Sequence, residues 1–505
     1  VILNDRNLGF SRACNQGIAA GRGDLIVLLN PDTVVSPGWL SRLAAHLQDR
    51  TVGAVGPVSD YVAGLQKVQL YVDPAALRPA APDSLAEAVY RRNRGSGRET
   101  KLLIGFCLMI PRRVLDRVGW LDEDLFLGND DLDLSWRLRR EGYRLLVATD
   151  VFVHHRGQVS FRSEPEPRTR YLVQQSTNFL ANKLRRAYGP DGVPTPQDLW
   201  GIDWFTPTRG LTSIIIPCYN QLLYTRLCVD SILDHTPEPV ELIFVDNGST
   251  DGTPAYLERL ARENQRVKVI RNPKNLGFAA ACNQGLAAAE GDFLLLLNND
   301  TVVTPGWLTR MLAATAIDRK IGLVGPRSND VAGPQAVEEV PYGEDLDAMR
   351  RFAAEFALQH AGEGHEEDFA IGFCLLITRA VVDRIGGFDT RYGLGNFEDS
   401  DFCLRARLAG FRVWICDDVF IHHFGSRTFR GARIDYKKLM AENKAKFLAK
   451  WGASMTPTSD PEVWRMTLSA AKVKELLYQP LTDAPPPAAT GAGSGNPGAR
   501  PARDR

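Results

Sequence analysis

Short apolar runs alternate with longer helical patterns in the second half of the chain. The runs are SIIIP at 213–217, ELIFVDN at 241–247, VKVIRN at 267–272 and FLLLLNND at 293–300. Continuous apolar runs of this length are typical of strands buried on both faces, and helical segments between them indicate parallel crossovers. The pattern predicts an α/β, doubly wound fold with a mostly parallel sheet, whose ligands bind at the carboxyl ends of the strands.

The same pattern occurs twice along the chain. Residues 7–43 and 275–311 are identical at 25 of 37 positions, with an offset of 268 residues. The register persists downstream, where Asp131 corresponds to Asp399 and a His-His pair recurs at 154 and 422. An offset of this length indicates a duplicated domain rather than a solenoid repeat. We therefore expect two related domains in tandem.

The domain boundaries follow from this register. Val1 corresponds to Val269, so nothing in the sequence corresponds to 212–268, and we expect a fragment cut inside its first domain. The expected parts are a truncated domain at 1–189, a linker rich in Pro and Gly at 190–210, a complete domain at 211–453, a helical extension at 454–479 and a disordered tail at 480–505.

Charge and cysteine usage narrow the class of protein. Lys and Arg number 60, as do Asp and Glu, which disfavours a nucleic-acid partner bound by bulk charge. The eight cysteines show no CxxC spacing, which is typical of buried thiols in a reducing compartment. No apolar run approaches the roughly 18 residues of a membrane span. We expect a cytoplasmic protein without a transmembrane segment, with peripheral contact at the inner face of the cell membrane left open.

Polar motifs follow the apolar runs. Asp246 ends the second run and is followed by Asn-Gly-Ser. Such a carboxylate can accept hydrogen bonds from a ribose or base, although an Asx turn is the simpler explanation of the motif alone. Further along, Glu398, Asp399 and Asp401 precede a helical pattern. One acid would satisfy a helix N-terminus, so three acids invite a second explanation.

Seven motifs in this order resemble the family 2 glycosyltransferases with the GT-A fold. They are IPCYN (216–220), VDNGSTDGT (245–253), NLGFAAACNQG (275–285), LNNDT (297–301), GFC (372–374), NFEDSD (396–401) and IHHFGS (421–426). The resemblance implies an inverting hexosyl- or deoxyhexosyl-transferase that moves a sugar from a nucleotide-diphosphate donor to a hydroxyl of a saccharide or lipid-linked saccharide acceptor. By analogy, tandem domains of this kind suggest synthesis of a bacterial surface polysaccharide such as O-antigen or capsule.

The resemblance also implies roles for individual residues. Asp399 would be the base that takes the acceptor proton, with Glu398 orienting the acceptor or the base. Asp246 would contact the nucleotide. LNNDT matches the family's DxD metal motif with Asn in place of the first acid. Asp300 would then bind Mn²⁺ or Mg²⁺ on the diphosphate together with His422, the adjacent histidine being the alternative.

Other residues are assigned to the nucleotide-sugar site, although helix packing explains several of them nearly as well. They are Pro217, Tyr219, Asn220, Asn247, Asp251, Arg271, Gly277, Phe278, Asn283, Asn299 and Gly372. The counterparts of the metal and catalytic residues in the first copy are Asp32, Asp131 and His154.

Two other classes remain open. A nucleotidyltransferase also binds nucleotide at this edge of a sheet, but it would need a triphosphate-binding Gly-rich loop with Arg and Lys, which IPCYNQLLYTR matches poorly. A non-catalytic sugar- or nucleotide-binding module would keep the fold without turnover. The first copy, which has no nucleotide half in this sequence, is the candidate for such a module.

Overall fold

The computed structural model describes most of both copies and parts of the C-terminal region. The described residues are 1–73, 82–157, 165–343, 345–425, 435–451, 456–457, 464–465 and 470–481. The predicted disordered tail at 480–505 lies outside them from residue 482 onward, as does most of the 454–469 portion of the predicted helical extension.

Helices and strands alternate through most of both copies. The helices are α1 Phe10–Ala20, α2 Trp39–Ala45, α3 Pro82–Asn93, α4 Arg112–Val118, α5 Asp130–Arg140, α6 Glu166–Tyr188, α7 Pro196–Trp200, α8 Leu222–His235, α9 Thr253–Glu263, α10 Phe278–Ala288, α11 Trp307–Ala314, α12 Leu346–Gln359, α13 Arg379–Ile385, α14 Glu398–Leu408, α15 Tyr436–Trp451 and α16 Ala470–Leu477. The strands are β1 Leu25–Leu29, β2 Thr33–Val35, β3 Val52–Val58, β4 Gly97–Thr100, β5 Cys107–Pro111, β6 Arg144–His155, β7 Thr212–Cys218, β8 Val240–Asp246, β9 Val267–Arg271, β10 Phe293–Leu297, β11 Thr301–Val302, β12 Ile321–Ser328, β13 Gly364–Glu367, β14 Cys374–Thr378, β15 Arg412–His423, β16 Thr456–Pro457 and β17 Trp464–Arg465.

The four apolar runs of the second copy form the parallel half of its sheet, as predicted. The strand order is β11-β15-β12-β14-β10-β7-β8-β9, with β13 paired to β15. Strands β10, β7, β8 and β9 pair in parallel. The half beyond β10 is mixed, because β14 runs antiparallel to both β10 and β12. The fold is α/β as predicted, with a less uniformly parallel sheet than the apolar runs alone indicated.

Both faces of this sheet are covered, which explains the continuous apolar runs. In β7, Ile214 and Ile216 belong to the buried cluster on one face, whereas Ile215 belongs to the cluster on the other. Successive side chains of a strand point to opposite faces, so a strand covered on both sides needs apolar residues at consecutive positions. The carboxyl ends of the parallel strands therefore meet at one edge of a well-buried sheet.

The first copy repeats only part of this sheet. Its strands have the order β1-β5-β3-β6-β2, with β4 paired to β6. Among the described residues, β1 pairs only with β5, whereas the corresponding β10 also pairs with β7. Leu29 in β1 is 42% exposed, and its counterpart Leu297 is fully buried. As far as the structure describes it, the first copy thus has no counterpart of β7 or β8, and residues 1–3, which correspond to the end of β9, form no strand.

The segment predicted as a linker at 190–210 is packed rather than loose. It contains α7, in which the Trp200 side chain is buried and donates a hydrogen bond from Nε1 to the carbonyl of Leu132 at 2.9 Å. Phe205 is also buried and stacks edge-on against Trp200. Three large apolar side chains, Leu199 included, attach the segment to the first copy.

Candidate active site

A cavity of about 630 Å³ opens where the parallel strands of the second copy end. Its wall contains much of the predicted site, both from the loops after the parallel strands and from the region of Glu398 and Asp399. The predicted residues in its wall are Pro217, Tyr219, Asn247, Phe278, Asn299, Asp300, Gly372, Glu398 and Asp399. A second cavity, of about 830 Å³, lies near the opposite strand ends around Val240 and is remote from these acids.

The two acids stand at the first turn of α14, after an unusual backbone turn. Asn396 and Phe397 both have positive φ values, of 74° and 73°. For a bulky residue such as Phe this conformation is costly, and such strain is concentrated at functional sites. The turn delivers Glu398 and Asp399 to the cavity wall rather than to solvent.

The Asp399 carboxylate is held in one orientation. Its Oδ2 accepts a hydrogen bond from the Gly372 amide at 3.1 Å, and its Oδ1 accepts one from the Ser400 amide at 2.7 Å. Burial raises the pKa of Asp399, and these hydrogen bonds offset only part of that effect. The arrangement suits a base that works near neutral pH.

Glu398 has a different environment. Burial, followed by the charge of Asp399, raises the pKa of Glu398 well above its ordinary value. Its Oε2 is buried and has no hydrogen-bond partner among the described residues. A buried carboxyl group without a partner favours the neutral form, which can donate a hydrogen bond. Glu398 is therefore equipped to hold a hydroxyl or a neighbouring carboxylate.

The third acid of the trio has a structural role. Asp401 is fully buried and bonds to Arg405 Nε at 2.8 Å, Lys450 Nζ at 2.6 Å and Trp451 Nε1 at 2.8 Å. These partners lie on α14 and α15, so Asp401 fastens the acid-bearing helix to the last helix of the domain.

Asp300 contacts His423, not His422. The distance from His423 Nε2 to Asp300 Oδ1 is 3.2 Å. The neighbouring His422 lies on the other face of β15, where its Nδ1 is 2.9 Å from the Tyr342 hydroxyl. The choice of His422 as metal ligand is corrected by this placement, because adjacent strand residues point to opposite faces.

The Asp300–His423 pair fits a divalent cation. His423 Nδ1 lies 2.8 Å from the Asp330 carbonyl, which can only accept, so Nδ1 carries a proton and Nε2 faces Asp300. Burial lowers the pKa of His423, but the hydrogen bonds and charges of Asp300 and Asp330 together raise it by more. The negative charge of Asp300 thus favours a positive charge beside it, at the position that a cation would take. Phe373 stacks on the imidazole with a ring separation of 5.3 Å.

Two protein ligands are few for a metal site. Within the described ranges, no group of three or more His, Cys, Asp or Glu side chains is arranged around a common point. A hard cation held by one carboxylate and one imidazole would need further oxygen ligands, and the phosphates of a bound nucleotide are the natural source.

The first copy repeats both arrangements. His155 Nε2 lies 3.3 Å from Asp32 Oδ1, and Phe106 stacks on the same imidazole. His155 rather than the predicted His154 is therefore the counterpart, since His154 bonds to Asp60 instead. Asp131 accepts a hydrogen bond from the Gly105 amide at 3.2 Å, and burial raises the pKa of its neighbour Asp130 to about 8.

Three predicted donor-site residues join the loops that follow β7 and β8. Asp246 is buried and accepts a hydrogen bond from the Ser249 amide at 2.9 Å, which is an Asx turn. Asn220 accepts one from the Thr250 amide at 2.7 Å, and Asp251 accepts one from the Leu222 amide at 3.2 Å. None of the three lines the cavity. Their contact with a nucleotide stays a prediction.

The remaining predicted residues outside the cavity wall serve packing or charge pairing. Asn283 bonds to both the amide and the carbonyl of Phe388, at 2.7 and 2.8 Å, and is thereby occupied. Gly277 has a φ of 90°, and a Cβ there would overlap the Gly393 carbonyl. Arg271 is half exposed and pairs with Glu258 at 2.6 Å. These contacts explain the residues without a ligand.

The cavity also contains residues that sequence reasoning missed. Tyr436 and Met440 reach it from α15, and Asp330 reaches it from the loop after β12. Burial raises the pKa of Tyr436, and the charges of Asp399 and Glu398 add to this effect. No motif signals these positions, since each joins the wall only through the packing of a distant element.

Comparison with known proteins assigns the chain to a family. The model described as "Glycosyl transferase family 2" matches residues 213–386, and the model described as "Glycosyltransferase like family 2" matches residues 1–188. Together the two matches cover most of the chain.

Three curated relatives share long stretches with the chain. An uncharacterized protein of Sinorhizobium fredii is 30% identical over 84% of this chain and 46% of its own length. The O-antigen biosynthesis protein RfbC of Myxococcus xanthus is 27% identical over 82% of this chain and 32% of its own. The hyaluronan synthase of Pasteurella multocida is 23% identical over 65% of this chain and 35% of its own. The chain spans less than half the length of each.

No helix within the described ranges combines the length and apolar character needed to cross a bilayer. The repeated sequence, the repeated site geometry and the two family matches lead to one conclusion. The chain belongs to glycosyltransferase family 2 and carries two domains of that family in tandem.

Proposed function

We propose that the second copy is an inverting glycosyltransferase that moves a sugar from a nucleotide-diphosphate donor to a hydroxyl of a saccharide or lipid-linked saccharide. One observation carries this proposal: the acid pair and the Asp300–His423 pair open onto one cavity of about 630 Å³. That volume is within the range of small-molecule sites. Membership of family 2 supports a glycosyltransferase over a nucleotidyltransferase.

Asp399 is the proposed base. It removes the proton from the acceptor hydroxyl as the new bond to the sugar forms, and the Gly372 and Ser400 amides keep its carboxylate in place meanwhile. Glu398, in its neutral form, donates a hydrogen bond to the acceptor or to Asp399. Tyr436 and Met440, which also line the cavity, are proposed to contact the acceptor.

Asp300 and His423 are the proposed protein ligands of a divalent cation, Mn²⁺ or Mg²⁺. When bound, the cation would neutralise charge on the departing diphosphate. Tyr219, Asn247 and Asn299, which also line the cavity, are proposed to contact the donor. The Asp246 loop is proposed to shape the nucleotide end of the site from behind.

The relatives support a role in polysaccharide synthesis. Two of them are named for O-antigen biosynthesis and for hyaluronan synthesis. The eight cysteines are all free thiols, which supports a reducing compartment such as the cytoplasm. Polysaccharide synthesis and cytoplasmic location remain parts of the proposal, as does peripheral contact with the membrane.

Replacement of the proposed base tests the function. In a full chain whose first copy is inactivated by Asp131→Asn, the added change Asp399→Asn should reduce turnover of nucleotide sugar by roughly a hundredfold or more, because a positioned base is lost, while donor affinity stays close to that of the parent chain. Asp383→Asn, on the exposed face of α13, is the matched control. Release of nucleotide diphosphate and calorimetric titration with the donor measure the two quantities. Wild-type turnover by Asp399→Asn would refute the assignment of the base.

A further inference from the structure

The two copies each bury one carboxylate at the same point of their longest strand. Asp150 lies in β6 and Asp418 in β15, and both are almost completely buried. Each falls within a few residues that the neighbouring parallel strand skips, at a register shift. Each also accepts a hydrogen bond from a glycine amide, from Gly95 at 2.9 Å or Gly362 at 3.2 Å. The duplication has thus preserved a buried acid that needs partners.

The other partners differ between the copies. In the first copy, His46 from the same domain lies with its Nε2 2.8 Å from Asp150. The corresponding position in the second copy is Ala314, at the end of α11, which is fully buried. The Ala314 methyl group cannot bond to Asp418.

Helix α6, which belongs to the first copy by sequence, supplies the missing partners. The Tyr171 hydroxyl donates to Asp418 Oδ1 at 2.8 Å, and Gln175 Nε2 donates to Asp418 Oδ2 at 2.7 Å. The Tyr171 ring is 1% exposed and belongs to the same buried cluster as Ala314 and Trp307. A small residue in the second copy and a large one on α6 therefore complement each other.

Helix α6 contacts both copies. Toward the first copy, the Ser176 hydroxyl accepts from the Leu127 amide and Thr177 accepts from the Asn129 side chain. Toward the second copy, Arg170 donates to the Ile317 carbonyl at 2.9 Å. Polar contacts to both copies thus hold the helix in place.

We propose that α6 is an integral part of the second domain, held there by Tyr171 and Gln175 at Asp418, so that the second domain is stable only when the first domain's helix is docked. The two domains form one structural unit, and the interface between them is obligatory.

The physical reason is the cost of an unpaired buried charge. Burial raises the pKa of Asp418, and Arg310, Gln175 and Tyr171 oppose that shift. If α6 undocked, Asp418 would keep only the Gly362 amide and the charge of Arg310, and the buried cluster that contains Ala314 would lose the Tyr171 ring. Breaking a buried polar network by removal of one partner is strongly destabilising.

Tyr171→Phe in the full chain is a conservative test of the proposal, because it removes the hydroxyl donor and keeps the ring. Hydrogen–deuterium exchange should become about tenfold faster or more in β12 and β15, the scale of a lost charged hydrogen bond. Tyr188→Phe is the matched control on the same helix, since the Tyr188 hydroxyl accepts from Trp136 Nε1 within the first copy. Its effect should be confined to the first copy. Unchanged exchange in β15 of Tyr171→Phe would overturn the proposal.

A second test introduces into the second copy the histidine that pairs with the buried acid in the first copy. Ala314→His alone should lower the thermal midpoint of unfolding, because Tyr171 occupies the space. In a Tyr171→Ala background, the same Ala314→His substitution should raise the midpoint, because the imidazole can replace the missing partner as His46 does for Asp150. An equal decrease in both backgrounds would show that α6 and position 314 are independent, and would also overturn the proposal.

Discussion

At the scale of single residues, neighbouring side chains of identical type have unrelated roles. His423 stacks on Phe373 and faces Asp300 in the cavity, whereas His422 is buried against Tyr342. The first copy makes the same division between His155 and His154. The alternation of a strand is sufficient to separate an imidazole that faces the cavity from one that does not.

This division makes a paired prediction about metal affinity. His423→Ala should weaken Mn²⁺ binding by about tenfold or more, because an imidazole ligand is lost, a scale at least equal to that of outer-shell partners. His422→Ala should leave Mn²⁺ affinity nearly unchanged and lower the thermal midpoint of unfolding instead. Calorimetric titration with Mn²⁺ in the presence of nucleotide diphosphate, alongside thermal melting, separates the two effects. Equal affinity losses would contradict the assignment.

At the scale of elements, the acid-bearing helix α14 depends on α15. Lys450 is buried and contacts Asp401 at 2.6 Å and Asp389 at 2.7 Å. In the first copy, Asp133, the counterpart of Asp401, contacts Lys183 at 2.7 Å, from the position after the counterpart of Lys450, and there the lysine is one-third exposed. Both copies therefore have a similar lysine–aspartate contact, the tether of the acid-bearing helix. It is buried in the second copy and partly exposed to solvent in the first.

The difference in burial sets the size of the expected effect. Lys450→Met should destabilise the chain by about 3 to 5 kcal/mol, because Asp401 would lose a buried ionic partner. Lys183→Met should cost clearly less, because water can replace part of the lost interaction. Urea unfolding of both variants measures this comparison. A cost for Lys183→Met equal to or above that of Lys450→Met would show that burial does not decide the strength of the tether.

At the scale of the whole molecule, α6 and the 190–210 segment connect the two copies. Trp200 and Phe205 attach the 190–210 segment to the first copy, and α6 presents Tyr171 to the core of the second. Asn182 on α6 adds a buried hydrogen bond to Glu238 at 2.8 Å. The repeat alone suggests a domain boundary at residue 189. In the structure, packed contacts continue across that position.

The full chain should therefore unfold in one cooperative transition. Differential scanning calorimetry should give a calorimetric enthalpy close to the van't Hoff enthalpy, as for a single unit. A Trp200→Ala variant should lower the midpoint without splitting the transition, because α6 still joins the copies. Two resolved transitions in the wild-type chain would show that the copies are separable.

The sequence by itself determined the duplication, the four parallel strands and the acids of the site. Those features depend on local rules: apolar runs form buried strands, and the spacing of Glu398 and Asp399 before a helix fixes both acids at its first turn. Tertiary structure alone decided that His423 rather than His422 meets Asp300, that Asn283 is occupied by Phe388, and that Tyr436 lines the cavity. It also decided that α6 completes the second domain, through Tyr171 at Asp418. Each of these outcomes depends on which distant elements pack together. The local pattern of residue types along the chain does not show that packing.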